Sequence, residues 1–408
     1  MESGLKNYLV VTASYWGFTI TDGAIRMLVV LYFHLLGYSP FEVAMLFLFY
    51  ELFGVITNLL GGWLGARIGL NLTMHIGMGM QIIALLMLTV PDAWLSVAYV
   101  MLAQALSGIA KDLNKMSAKA SVKTFLPEHT ESRLFKWIAI LTGSKNALKG
   151  AGFFIGAILL EMASFRDVLF ILSSFLFLLL MLSVVLLPGK IGKSKIKPKF
   201  SQIFSKSRAI NWLSAARFFL FGARDIWFTV GLPVFLYSVL GWSFSQVGSF
   251  LALWVIGYGF VQASAPSIIK LSHHGKGPDS RTAQVWSYAL LLLVTAIAFL
   301  MMQDFDPAIV LIVGLSAFGI VFAINSAVHS YLIVAWSDHD NVSMNVGFYY
   351  MANAGGRLTG TVLSGWVYQS YGLTGCLWWS TVLILITALI STGMTRLTSK
   401  NSDSVASN

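Results

Sequence analysis

Apolar stretches of roughly 20 residues, the length that crosses a bilayer, recur along this chain with short polar links between them. Taken in order, they predict spans over residues 8–36, 41–66, 73–90, 95–122, 132–161 and 167–187. A second series covers 210–240, 244–271, 282–302, 307–336, 342–370 and 374–397. At roughly 30 residues per span and loop, 408 residues hold twelve spans and leave no soluble domain of useful size. The first run, Tyr8 to Leu36, is too long for a signal peptide, contains Asp22 and Arg26, and has no small-residue cleavage site. It reads as the first span of an all-α integral membrane protein.

Composition agrees with the pattern. Charged residues make up 11% of the chain and mean hydropathy is +0.76, whereas soluble domains carry roughly 25% charged residues. The one cysteine, Cys376, excludes a disulfide or a multi-thiolate metal site within one chain. A net charge of +10 would suit nucleic acid, but in a membrane protein the placement of charge matters more than its sum, and no nucleic-acid partner is expected.

That placement gives the orientation. The longest link, Pro188 to Arg208, holds seven Lys or Arg and no acid, which makes it cytoplasmic by the positive-inside rule. Attraction to anionic membrane lipid is its secondary reading. Loops of opposite parity carry Glu42, Asp92, Glu161, Asp304 and Asp306, with Arg166 as the exception, so both termini are predicted in the cytoplasm. The chain also repeats about its midpoint. Leu36-Gly37-Tyr38-Ser39 matches Leu240-Gly241-Trp242-Ser243, an offset of half the 408 residues, at which Glu42 meets Gln246, and Gly152 and Gly156 meet Gly356 and Gly360. Two parallel six-span halves, residues 1–187 and 210–408, joined by a basic linker at 188–209, form the arrangement of major facilitator transporters. Between spans two and three, Gly62-Trp63-Leu64-Gly65-Ala66-Arg67-Ile68-Gly69 resembles the loop motif of that superfamily, with Ala66 where an acid is usual.

An ionisable group near the bilayer centre costs about 2.5–3.5 kcal/mol on insertion scales, and the predicted spans hold many. The bases are Arg26, Lys111, Lys115, Lys145, Lys149, Arg217, Arg224 and Arg357; the acids are Asp22, Glu51, Asp112 and Asp225. Asp22 with Arg26, Asp112 with Lys115, and Asp225 with an arginine are the expected neutral pairs. An excess of four positive charges remains, which implies a water-filled cavity whose counter-charge comes from a small multivalent anion. Arg26 of span one and Arg224 of span seven are expected to face each other, because the guanidinium fork suits tetrahedral oxyanions.

The proposed anion ligands are Arg26, Lys111, Lys145, Lys149, Arg217, Arg224 and Arg357, completed by Asn114, Asn325 and Tyr349, with Asn146, Asn353 and Tyr15 as further polar candidates. Asp22, Glu51, Asp112 and Asp225 either tune those bases or carry a coupling proton. Glu51 is the first proton candidate, having no base one turn away on its own helix. Competing readings are structural. Lys119, Lys123 and Lys136 can snorkel, as can Lys115. Asp22 with Arg26 can serve as a structural pair, Arg357 can cap a gate, and the polar residues can simply join helices. His329 reads as a helix–helix hydrogen bonder. His273 and His274 lack further ligands, so no metal site, cofactor or catalytic residue is expected.

Several of these segments resemble a known family. TDGAIRMLVV at 21–30, ALSGIAKDLNKMSAKAS at 105–121, LTGSKNALKG at 141–150, FSKSRAI at 204–210 and FGARD at 221–225 are similar to the ArsJ-type organoarsenical efflux permeases. The resemblance implies a bacterial inner-membrane exporter of 1-arseno-3-phosphoglycerate that confers arsenate resistance. It also implies a functional partner, glyceraldehyde-3-phosphate dehydrogenase, which makes that ester from arsenate without direct contact. An exchanger of sugar phosphates, inorganic phosphate or another multivalent organic anion predicts the same basic cavity. An intramembrane enzyme finds no nucleophile–base pair to support it, and a sensor without transport is the remaining alternative.

Overall fold

The computed structural model describes residues 2–125, 131–187, 207–272, 278–337 and 342–406. The centre of the basic linker and the pair His273 and His274 lie outside the described residues, as do the side chains of Lys119, Lys123, Lys136 and Arg67.

The described residues are overwhelmingly helical, as the apolar periodicity predicts. The first half comprises α1 (Glu2–Leu35), α2 (Pro40–Leu46), α3 (Leu48–Ile68), α4 (Leu70–Met87), α5 (Val97–Phe125), α6 (Glu131–Met162) and α7 (Phe165–Leu186). The second comprises α8 (Arg208–Phe228), α9 (Gly231–Ser238), α10 (Phe244–Ser272), α11 (Ser280–Leu300), α12 (Pro307–Ala335) and α13 (Val342–Ala406). Helices α2 and α3 form one rod, as do α8 and α9, whereas α13 is two rods that part at Gly372, where φ is 64°. Among the described residues, nine segments are long and apolar enough to cross a membrane, and Gly347–Thr398 among them contains both rods of α13. Adding α5 and α6, whose polarity comes from their lysine-bearing turns, gives the twelve spans read from the sequence.

The sequence repeat has a physical cause in its turns. Gly37 and Gly241 both take positive φ, 87° and 69°, a conformation open to glycine at little cost. Two residues later, Ser39 caps α2 in a reciprocal box: its amide donates to Glu42 Oε2 at 2.8 Å, and the Glu42 amide donates to Ser39 Oγ. Ser243 and Gln246 repeat the box at 2.8 and 3.2 Å.

The matched glycines build the interior of each half. A Cβ at Gly156 would lie 2.6 Å from the Ala24 carbonyl oxygen, and one at Gly360 would lie 2.6 Å from that of Gly222. Backbone therefore meets backbone between α1 and α6, and again between α8 and α13, as in small-residue membrane seams. Helices α6 and α10 join the halves along a similar strip: Gly143 and Gly259 face each other's carbonyls, and Gly150 faces Ala252. At the end of the bundle carrying the repeated turns, His34 Nε2 meets Ser238 Oγ at 2.8 Å, and the Ser245 amide donates to Glu161 at 2.9 Å. The outward surface is apolar, with Leu178, Val185 and Leu292 among the exposed side chains, which is the surface lipid requires.

Candidate functional site

Between the halves lies a cavity of about 130 Å³ lined from α1, α3, α5, α6, α8, α10, α12 and α13. All eight bases counted in the spans line it: Arg26, Lys111, Lys115, Lys145, Lys149, Arg217, Arg224 and Arg357. Helical register explains the convergence. In α13, Tyr350, Asn353, Ala354 and Arg357 share one face, and in α8, Arg217, Phe221, Arg224 and Phe228 do the same.

The four acids are buried and ion-paired, and three of them, Asp22, Glu51 and Asp225, take a partner from another helix. Asp22 of α1 does not pair with Arg26 as the one-turn spacing suggests. It accepts hydrogen bonds from Lys149 Nζ of α6 at 2.9 Å and from Tyr50 Oη of α3 at 2.6 Å. The close approach of Gly23 to Gly152 brings α1 against α6 and makes the Lys149 contact possible. Arg26 reaches Glu51 instead, at 3.2 Å. Glu51 has no solvent exposure and also accepts from Arg357 Nη2 at 2.6 Å, with Lys111 Nζ 3.9 Å from its second oxygen. The base that Glu51 lacks on its own helix therefore arrives from three others.

Arg357 also donates through Nε to Asp225 at 3.0 Å, so one guanidinium joins acids of both halves. Arg224 pairs with Asp225 as well. Asp112 holds Lys115 at 2.7 Å, the pairing expected from the sequence, while Lys115 also donates to Asn58 at 2.6 Å.

Arg217 is held differently. It donates to Asn353 Oδ1 at 2.9 Å, to Ser326 Oγ at 3.0 Å and to the Ser326 carbonyl at 3.2 Å, all of them neutral. Ser326 Oγ is also met by Tyr258 Oη at 3.1 Å and Gln262 Nε2 at 3.4 Å. Gln262 in turn accepts from Asn146 of the other half at 2.7 Å. The Phe221 ring lies between two guanidiniums, 4.0 Å from that of Arg217 and 4.8 Å from that of Arg224, and such cation–π contacts fix both.

Three of the proposed anion ligands fall outside the cavity lining. Asn114 bonds back to the Ala110 carbonyl at 2.9 Å, Asn325 donates to Ser287 at 3.1 Å, and Tyr349 packs with no exposure among the helices of its own half. Each sits one residue from a residue that does line the cavity: Lys115, Ser326 and Tyr350. One residue is a rotation of roughly 100° about a helix, enough to turn a side chain away. Asp22 and Glu51 lie just behind the lining, whereas Asp112 and Asp225 are part of it. Tyr15, Asn146 and Asn353 also line it, together with Asn58, Tyr258, Gln262 and Ser330, which charge counting alone does not pick out. His329 is fully buried, and neither ring nitrogen has a hydrogen-bond partner among the described residues, so the helix-joining bond expected of its ring is not made to any of them. Among the described residues no group of three or more His, Cys, Asp or Glu side chains could hold a metal ion.

A solved structure of a POT family transporter in complex with 5-aminolevulinic acid is similar over 95% of this chain and 96% of its own, with a TM-score of 0.73 and 16% identity. At that identity the likeness is one of fold. No curated protein matches the sequence. Residues 8–278 match the family model of the Major Facilitator Superfamily. Twelve spans in two repeated halves around one central cavity, together with that match, establish that the chain belongs to the Major Facilitator Superfamily of transporters.

Proposed function

We propose that this secondary transporter exports a multivalent organic oxyanion, 1-arseno-3-phosphoglycerate, by alternating access around the central basic cavity. The observation that carries the reading is the convergence of eight bases from both halves on one cavity that only four acids offset. A buried excess of cations needs a counter-charge, and a short carbon chain with a phosphate at one end and an arsenate at the other supplies it. The ester is the cargo implied by the resemblance to ArsJ-type permeases. Orientation follows from the basic linker: both termini in the cytoplasm of a bacterial cell, and the cavity alternating across the inner membrane. A glyceraldehyde-3-phosphate dehydrogenase would supply the ester from arsenate, and the exported product would break down to release arsenate outside.

The test is uptake by inside-out vesicles. Arsenylated phosphoglycerate, formed in place by the dehydrogenase from arsenate, is compared with plain 3-phosphoglycerate. Preferential uptake of the arsenylated ester supports the reading, and equal or preferential uptake of the phosphate favours an organophosphate carrier. In cells, Arg224→Ala at normal expression should abolish arsenate resistance. Unchanged resistance would remove Arg224 from the site.

A further inference from the structure

We propose that the carrier is an obligate exchanger: the empty cavity cannot reorient under its own positive charge, and a small tetrahedral oxyanion fills it on the return stroke. The inference rests on the anion-transport reading and adds a second ligand to the same site.

Six of the lining bases suffice for the argument: Arg26, Lys111, Lys149, Arg217, Arg224 and Arg357. They are set against Asp22, Glu51, Asp112 and Asp225, so an excess of two positive charges remains before Lys115 and Lys145 are counted. Arg217, only 4% exposed, is bound through neutral groups. To pass between its two open states the carrier must seal this cavity on both sides and give up most of the water that screens it. A net charge taken into a low-dielectric interior without a partner is heavily penalised. A bound phosphate-type group carries about −1.5 to −2 at pH 7, which offsets the excess of the six-base count and about half of the excess when all eight lining bases are counted. The empty cavity has no such offset.

A coupling proton cannot take the anion's place. Protonating Glu51, which Arg26 and Arg357 hold at 3.2 and 2.6 Å, would raise the excess by one. The same holds for Asp225, which binds Arg224 and Arg357, and for Asp22, which binds Lys149. The bound anion is therefore the component that permits closure, in both directions of travel.

The experiment uses the full chain in liposomes free of chloride. Uptake of radiolabelled 3-phosphoglycerate and inorganic phosphate is measured into vesicles preloaded with inorganic phosphate, or with an uncharged osmolyte in zwitterionic buffer. Exchange predicts uptake at least tenfold faster into phosphate-loaded vesicles. Equal rates in the two, or uptake into unloaded vesicles driven by a proton gradient, would overturn it. No uptake in any arm by protein that still melts cooperatively would overturn phosphate exchange; if inside-out vesicles also fail to take up the arsenylated ester, the anion-transport reading itself falls. Asn353→Asp offers a second handle, because it puts a carboxylate where Arg217 Nε already donates at 2.9 Å. Lowering the excess by one should cut the stimulation by internal phosphate to below threefold. A variant that transports with the full ratio would remove charge as the cause.

Discussion

Replacing Glu51 by glutamine keeps the shape of the side chain and removes only its charge. Two basic contacts at 3.2 and 2.6 Å converge on this fully buried carboxylate. Arg357 would keep Asp225 at 3.0 Å, but Arg26 would have no other carboxylate within salt-bridge distance among the described residues. Breaking a buried pair from one side costs about 3–5 kcal/mol. An unfolding entropy of roughly 2.1 cal/mol/K per residue, applied to 408 residues, converts that cost into a melting-point drop of roughly 3–6 °C. The control is Asp92→Asn. The Arg166–Asp92 pair has the same 3.2 Å separation but lies 44% and 48% exposed, so its loss should cost at most about 1 kcal/mol. Intrinsic-fluorescence melting of detergent-purified protein reads both. Adding Arg26→Gln to Glu51→Gln should return about 1–3 kcal/mol as coupling. The reasoning fails if Glu51→Gln and Asp92→Asn melt together, because burial would then not set the strength of the pair.

Three other measurements probe different parts of the structure. Arg217→Gln should weaken 3-phosphoglycerate binding by about 10- to 100-fold in calorimetry, the equivalent of a charged hydrogen bond of roughly 1.5–3 kcal/mol. Gly356→Leu would drive a side chain into the Phe218 backbone and should abolish the cooperative melt, whereas Gly257→Ala, with nothing within 4 Å, should leave it unchanged or raise stability by up to about 1 kcal/mol. Ser39→Ala and Ser243→Ala each remove a capping box and should cost about 1 kcal/mol apiece, adding in the double variant because the two turns are separate.

The fold was legible because its signals are local. Span length, the basic linker and the repeated Leu-Gly-aromatic-Ser turn can each be read within a few residues. The bases of the cavity were legible too, since a charge in an apolar span is conspicuous. Their partners were not: Arg26 and Glu51 lie 25 positions apart, and Lys149 and Asp22 lie 127 apart. No spacing rule connects residues that only helix packing brings together. The neutral lining was partly recoverable. Counting back from Arg357 by three, four and seven gives Ala354, Asn353 and Tyr350, so helical spacing alone selects Tyr350 over Tyr349. Asn114 and Asn325 drew notice as uncommon residues in apolar runs, but rarity carries no direction around a helix. The helix-one pair misled for a related reason, since two residues on one face can each find a better partner on a neighbouring helix.

The glycine strip between α6 and α10 has a kinetic meaning. Where large side chains interdigitate, two helices can tilt past each other only after knobs leave their holes, and each disengagement adds to the barrier. Gly143 against Gly259, and Gly150 against Ala252, present nearly smooth backbone. At these positions one half meets the other with no large side chain of α6 to withdraw, whereas further along the seam Phe153 packs in one cluster with Leu251 and Trp254. What must be released for the halves to tilt is then mainly that packed cluster and the polar contacts that cross between them: Asn146 with Gln262, Glu161 with Ser245, and Arg357 between Glu51 and Asp225.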